Sequence, residues 1–177
     1  MILKHYDLDP DLFMSPIVGL LHSMVDYNYQ RLLRLVEGCE NVIDYKGPDN
    51  DLNSIGQLLR HLTVVDLHWV YRLQGREIPN EKINEFGPMY DVEGKLPMIQ
   101  GISLDVLLSE YAGVQKQLKD VCMRFEDEDL NNIVPFEKGN SASIRWGIWH
   151  VADHSRHHYS NIAYLKKLYQ SQNPLFE

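Results

Sequence analysis

Apolar residues recur at helical spacing in four long stretches of the chain. In the first, residues 14–38, Ile17, Leu20, Leu21, Met24, Leu32 and Leu35 form a stripe, with Ser15 as N-cap, Pro16 at the first helical position and Gly38 as stop. Asn28 interrupts this stripe, and a polar group on a core-facing line needs a partner. The second stretch, 54–75, opens with Ser54 and Gln57 spaced as a capping box. Its inner face carries Leu58, His61, Leu62, Val65 and Trp69, with His68 close by, and Gly75 ends it. The third, 103–130, runs from Ser103 through Leu104, Leu107, Leu108, Tyr111, Val114, Leu118 and Val121 to Phe125. The fourth, 143–170, starts at Ser143 and packs through Ile144, Ile148, Val151, Ile162, Leu165 and Leu168.

The connections differ in character. Residues 76–102 are polar and rich in Gly and Pro, and their length suits a crossover or lid better than a tight turn. Between the third and fourth stretches, Ile133-Val134 reads as a short extended piece, with "KGNS" as turn chemistry. The pattern predicts an all-α fold with essentially no sheet: a four-helix bundle with a long crossover connection, in one domain over residues 1–177.

Charge and composition then exclude several classes. The formal net charge is −8, and the short basic clusters Lys166-Lys167 and Arg31 with Arg34 look like solvated helix faces, so no nucleic-acid partner is expected. No apolar run approaches the roughly 20 residues that span a bilayer, and the N-terminus lacks the basic start and apolar core of a secretory signal. The two cysteines, Cys39 and Cys122, belong to no metal-finger pattern and read as reduced, buried thiols. A cytoplasmic protein with no membrane partner is expected.

Histidine placement adds the chemistry. Four of the eight histidines fall in "WHVADHSRHHYSNI". On a helix, His150, His154 and His158 form a row at i, i+4 spacing, with His157 between the last two in angle. Such a pair can place two imidazoles on one metal ion, and a facing helix can supply a third. His61, on the apolar face of the second stretch, is the best candidate, and His68 is the reserve. Spacing alone does not separate the pair 150/154 from 154/158. A satisfied core histidine at 61 and a surface cluster on the last helix are the plainer readings of each feature taken separately. Zinc-protease, di-iron, hydrolase-elbow and nucleotide-loop motifs are all absent from the sequence.

The stretch "HVADHSRHHYSNI" resembles the H-x-x-x-H-x-x-H-H-x-x-x-I pattern of the DinB/YfiT-like superfamily of metal-dependent enzymes. "YNYQRLL" and "LLRHLTVVDLHWV" support the resemblance, which extends over nearly the whole chain. It implies a divalent metal held by His61, His154 and His158, with His150 and His157 at positions that are not ligands. Where many members carry "HHRGQI", this chain has "HHYSNI", so Tyr159, Ser160 and Asn161 replace Arg, Gly and Gln. Zinc suits the ligand type, and nickel, iron or manganese accept the same three nitrogens. The implied activity is thiol S-transferase-like chemistry on a small-molecule electrophile, using a low-molecular-weight thiol. The alternatives are a metal-dependent hydrolase and a non-catalytic metal-binding stress-response bundle. Neither spacing nor resemblance designates a catalytic residue. Asn28, Asp66 and Asp153 are candidates to orient the ligands, and Tyr27, Tyr29, Tyr164 and Tyr169 supply aromatic surface for a homodimer.

Overall fold

The computed structural model describes residues 5–173. Four long helices carry the fold: α1 (Pro16–Val36), α2 (Ile55–Arg72), α4 (Leu104–Cys122) and α5 (Ile144–Gln172). A short α3 (Asn80–Phe86) lies within the crossover, and a two-stranded antiparallel hairpin, β1 (Ile133–Pro135) and β2 (Ser141–Ser143), precedes α5. The four-helix bundle is as the periodicity predicts, and the hairpin contains the extended pair Ile133-Val134.

Helix direction follows from the contacts. Asn28 reaches Ala152, and Lys166 reaches the carbonyls of Leu35 and Glu37, so α1 and α5 run parallel. Arg60 pairs with Glu110 and Asp66 with Gln115, so α2 and α4 are parallel too. His61 faces His158 while Trp69 lies against Gly147, which makes α2 and α5 antiparallel. Two parallel pairs are thus packed head to tail. Joining α2 to its parallel neighbour α4 requires the chain to travel the full bundle length, which is what residues 73–103 do.

Capping explains where the helices begin. Ser54 and Gln57 form the complete reciprocal box, and Ser103 and Ser143 accept from Val106 N and Trp146 N. Ser15 behaves differently. It occupies the N-cap position, but its hydroxyl accepts from Asp127 N at 3.1 Å, while Asp127 Oδ1 accepts from Ile17 N and Val18 N at 2.9 and 3.1 Å. The first turn of α1 is therefore capped by a residue more than a hundred positions away.

Three expectations are corrected. The third stretch does not continue to 130: α4 ends at Cys122, and a 3-10 turn covers Asp127–Asn131. The run Glu126–Asp129 is unfavourable at a helix C-terminus and favourable at the start of a new turn, where Glu126 and Asp129 cap reciprocally. In α1, Ile17 and Leu20 are exposed; Leu32 is buried as expected and Leu21, Met24 and Leu35 pack partly buried, but the fully buried line also takes in Val18, Val25 and Val36, which the stripe omits. Of the four tyrosines expected at the surface, Tyr29 packs edge-on against Tyr111 and Tyr169 against Tyr45, leaving Tyr27 and Tyr164 exposed.

The core forms two apolar clusters, one around Val18, Val25, Trp69, Leu118 and Ile148, the other around Leu32, Val36, Leu59, Leu107 and Ile162. Polar groups occupy the levels between them. Asn28 donates to the Ala152 carbonyl at 2.8 Å, so it is a satisfied structural amide joining α1 to α5. Asp66 is fully buried between α2 and α4, where Tyr111 and Gln115 both donate to its Oδ2, at 2.9 and 2.7 Å. Its Oδ1 has no partner among the described residues. Burial lifts this carboxyl from 3.8 to about 7, with the two donors opposing the rise.

Candidate metal centre

His61, His154 and His158 come together at the junction of the two clusters. One nitrogen from each ring lies within 4.8 Å of the others. The ring centroids are 5.1 Å apart for His61 and His154, 5.1 Å for His61 and His158, and 4.5 Å for His154 and His158. α2 presents His61 between Leu58, Leu62 and Val65, all buried. One helical turn separates His154 from His158 on α5, and their Nε2 atoms approach to 3.0 Å.

The local electrostatics keep the rings neutral. Burial, reinforced by neighbouring imidazoles, pushes His154 and His158 down to about 3. Burial also lowers His61, with the Met89 backbone opposing it. Neutral imidazole is the ligating form. The Nδ1 atoms of His61 and His154 are buried and meet no hydrogen-bond partner among the described residues. A cluster of three neutral imidazoles, two buried and His154 half-buried, with converging nitrogens is costly without an occupant. One cation among the three lone pairs would remove that cost, so the donor set fits a divalent ion.

The remaining histidines are excluded from the cluster by geometry. His150 turns toward the hairpin end and stacks on Trp146, with centroids 4.6 Å apart and an interplanar angle of 12°. His157 is exposed, beside Asn161. His68 is half-buried on α2 and lines a separate cavity. None of the three candidate orienting residues touches the cluster. Asn28 and Asp66 are engaged as described, and Asp153 is exposed.

Two neighbours had no distinct sequence signal. The crossover returns over the cluster, where the Tyr90 ring lies 5.4 Å from that of His61. Asn161 Nδ2 lies 3.4 Å from His158 Nδ1. Turning that amide over would present its oxygen to a ring N–H, the usual partner of a ligating histidine. Asn161 is visible in the sequence only as a departure from the usual motif; nothing in "FGPMYD" marks Tyr90.

A four-helix bundle with a crossover and three converging histidines defines a class of helical protein with a candidate metal centre in its core. A model of the DinB superfamily matches residues 24–162, and the chain belongs to that superfamily. It is also similar to the uncharacterized protein YkkA of Bacillus subtilis (strain 168), 40% identical over 166 residues that cover 93% of this chain and 94% of that protein. No helix among the described residues is long and apolar enough to cross a membrane.

Proposed function

We propose that this protein is a metal-dependent enzyme in which His61, His154 and His158 hold one divalent ion, zinc by ligand type, and that it joins a low-molecular-weight thiol to a small electrophile. The observation that carries this reading is the convergence of the three ring nitrogens within 4.8 Å. When bound, the ion supplies Lewis acidity, which favours the deprotonated form of a thiol at neutral pH.

The chain's own residues contribute position and environment. His61 is anchored by the capped, almost wholly buried α2, and His154 and His158 by the central turns of the longest helix. Three neutral ligands leave the ion's charge uncompensated, so an anionic sulfur is the natural complement. Tyr90 and Met89, on the crossover, cover the His61 side and restrict water there. Cys39 and Cys122 are buried and unpaired, which agrees with a reducing, cytoplasmic setting.

The test is turnover of a generic electrophile with a panel of small thiols, using protein purified without a histidine tag and loaded with zinc. Thiol consumption matched by conjugate, and lost in His154→Ala, is the expected result. Hydrolysis of esters or amides without thiol consumption would replace the transferase reading with the hydrolase one. Metal uptake without either activity would leave a metal-binding bundle.

A further inference from the structure

A sizeable cavity lies away from the histidine cluster. It occupies about 560 Å³ between the C-terminal turn of α2, the start of α3 and the hairpin, and its lining includes His68, Arg72, Arg76, Ile78, Ile83 and Phe136. From these residues we infer that it is a binding site for a small organic acid, a carboxylate carried on a flat apolar body.

Arg72 is the anchor. Its guanidinium lies over two rings at once, 5.4 Å from the Trp69 centroid and 5.3 Å from that of Phe136. Stacking engages the faces of a guanidinium and leaves its in-plane N–H donors free for a planar acceptor. The carboxylate that meets it, from Glu137, sits at 3.4 Å on a side chain 45% exposed, whereas the Arg72 side chain is 19% exposed. That is a long contact to a solvated partner, and an in-plane carboxylate can form a shorter paired contact in its place. Arg76, held over the Tyr71 ring at 5.3 Å, adds a second positive charge at the mouth. Glu77 also lines the cavity; it and Arg76 are both exposed and screened by water, so the half-buried Arg72 carries most of the attraction. His68 makes no hydrogen bond among the described residues, and burial lowers its basicity, leaving a neutral imidazole to face the ligand. Ile78, Ile83 and Phe136 give the apolar walls.

A run of packed rings links the cavity wall to the candidate metal centre. The Trp69 and Phe136 rings lie 5.5 and 6.2 Å from that of His150, and His150 lies 5.7 Å from His154. An acid held against Phe136 is therefore separated from His154 by two rings, Phe136 and His150. That the acid is a substrate rests on the metal-dependent reading; that the cavity binds it does not.

Benzoate is a suitable probe and benzamide its neutral counterpart, followed by quenching of the fluorescence of Trp69 and Trp146 in the full chain. Benzoate is expected to bind saturably and at least about tenfold more tightly than benzamide, the difference due to one charge-assisted contact. Arg72→Gln should weaken benzoate about tenfold, and Arg76→Gln, at an exposed position, severalfold. Glu137→Gln should tighten it, because the competing carboxylate is gone; this opposite sign keeps the test decisive if Arg72→Gln folds poorly. His154→Ala should leave benzoate binding unchanged, with or without chelator. Equal binding of benzoate and benzamide, or no tightening in Glu137→Gln, overturns the inference. So does loss of binding in His154→Ala, which would put the acid on the histidine centre instead. Failure of the metal reading appears separately, as absence of metal uptake with benzoate binding intact.

Discussion

Single imidazoles settle what the spacing in α5 leaves open. His150, His154 and His158 are equivalent in a helical projection, because each successive pair is one turn apart. What separates them is the position of α2. The turn carrying His61 lies opposite His154 and His158, while His150 meets Trp146 and Trp69. No periodicity within one helix contains that information. The functional expectation is correspondingly specific: His61→Ala, His154→Ala and His158→Ala should each lose most bound metal, and His157→Ala should keep it. Elemental analysis after equal zinc loading measures this. Loss in His157→Ala with retention in His158→Ala would reassign the α5 ligands. At a zinc concentration about a hundredfold above Kd, the ion should add about 2.7 kcal/mol to stability, or roughly 5–10 °C in Tm for a chain of this size. A melting curve unchanged by chelator would contradict this.

Asp66 supports a second residue-level prediction. The folded chain holds on to a proton that the unfolded chain releases near 3.8, because burial lifts the carboxyl to about 7. Its contribution to stability is therefore full below pH 3.8 and is lost as the pH rises to about 7. Asp66→Asn removes that slope while keeping an acceptor for Tyr111. The stability of the natural chain relative to this variant should fall by on the order of 4 kcal/mol across the window. Urea unfolding at a series of pH values checks it, and parallel curves would refute it. Buried His22 and half-buried His68 act in the opposite sense, since both are held neutral and destabilise the fold as the pH drops below about 6.5.

At the scale of elements, locally encoded boundaries were readable and remotely encoded ones were not. The Ser54, Ser103 and Ser143 caps use backbone three residues away, so their helix starts stand in the sequence. The α1 cap comes from Asp127, and no local rule could find it. Asp127→Ala should destabilise the protein by about 1–2 kcal/mol, as loss of a cap does, and Ser15→Ala by less; chemical denaturation gives both. α3 went unseen because seven residues without a buried side chain carry no stripe. Packing reverses a propensity rule at one of two helical glycines. Gly113 in α4 has nothing within 4 Å of a built Cβ, so Gly113→Ala should stabilise by about 0.5–1 kcal/mol. A Cβ at Gly147 would come within 2.6 Å of the Trp69 ring, so Gly147→Ala should destabilise by about 1–3 kcal/mol despite the better helix former. The same sign for both would show that the α2–α5 contact is softer than its geometry.

At the scale of the whole molecule, the formal net charge is −8, while Leu12, Phe13, Ile17, Leu20 and Tyr27 remain exposed. We expect a homodimer in solution. Light scattering that gives 20.7 kDa at high concentration would refute it.

The pairing of parallel helices has a kinetic consequence. Each member of a parallel pair has its main neighbour far along the chain, and α5, which completes both the α1 face and the α2 face, is made after the other three long helices. A nascent chain that has emerged only as far as α4 owns one of the three imidazoles and cannot close the site. Folding should accordingly wait for α5 and be slower than in bundles of consecutive hairpins, because long-range closure precedes most of the stabilising contact. In stopped-flow refolding, zinc should not accelerate the main phase and should act only on the rate at which the native chain opens again.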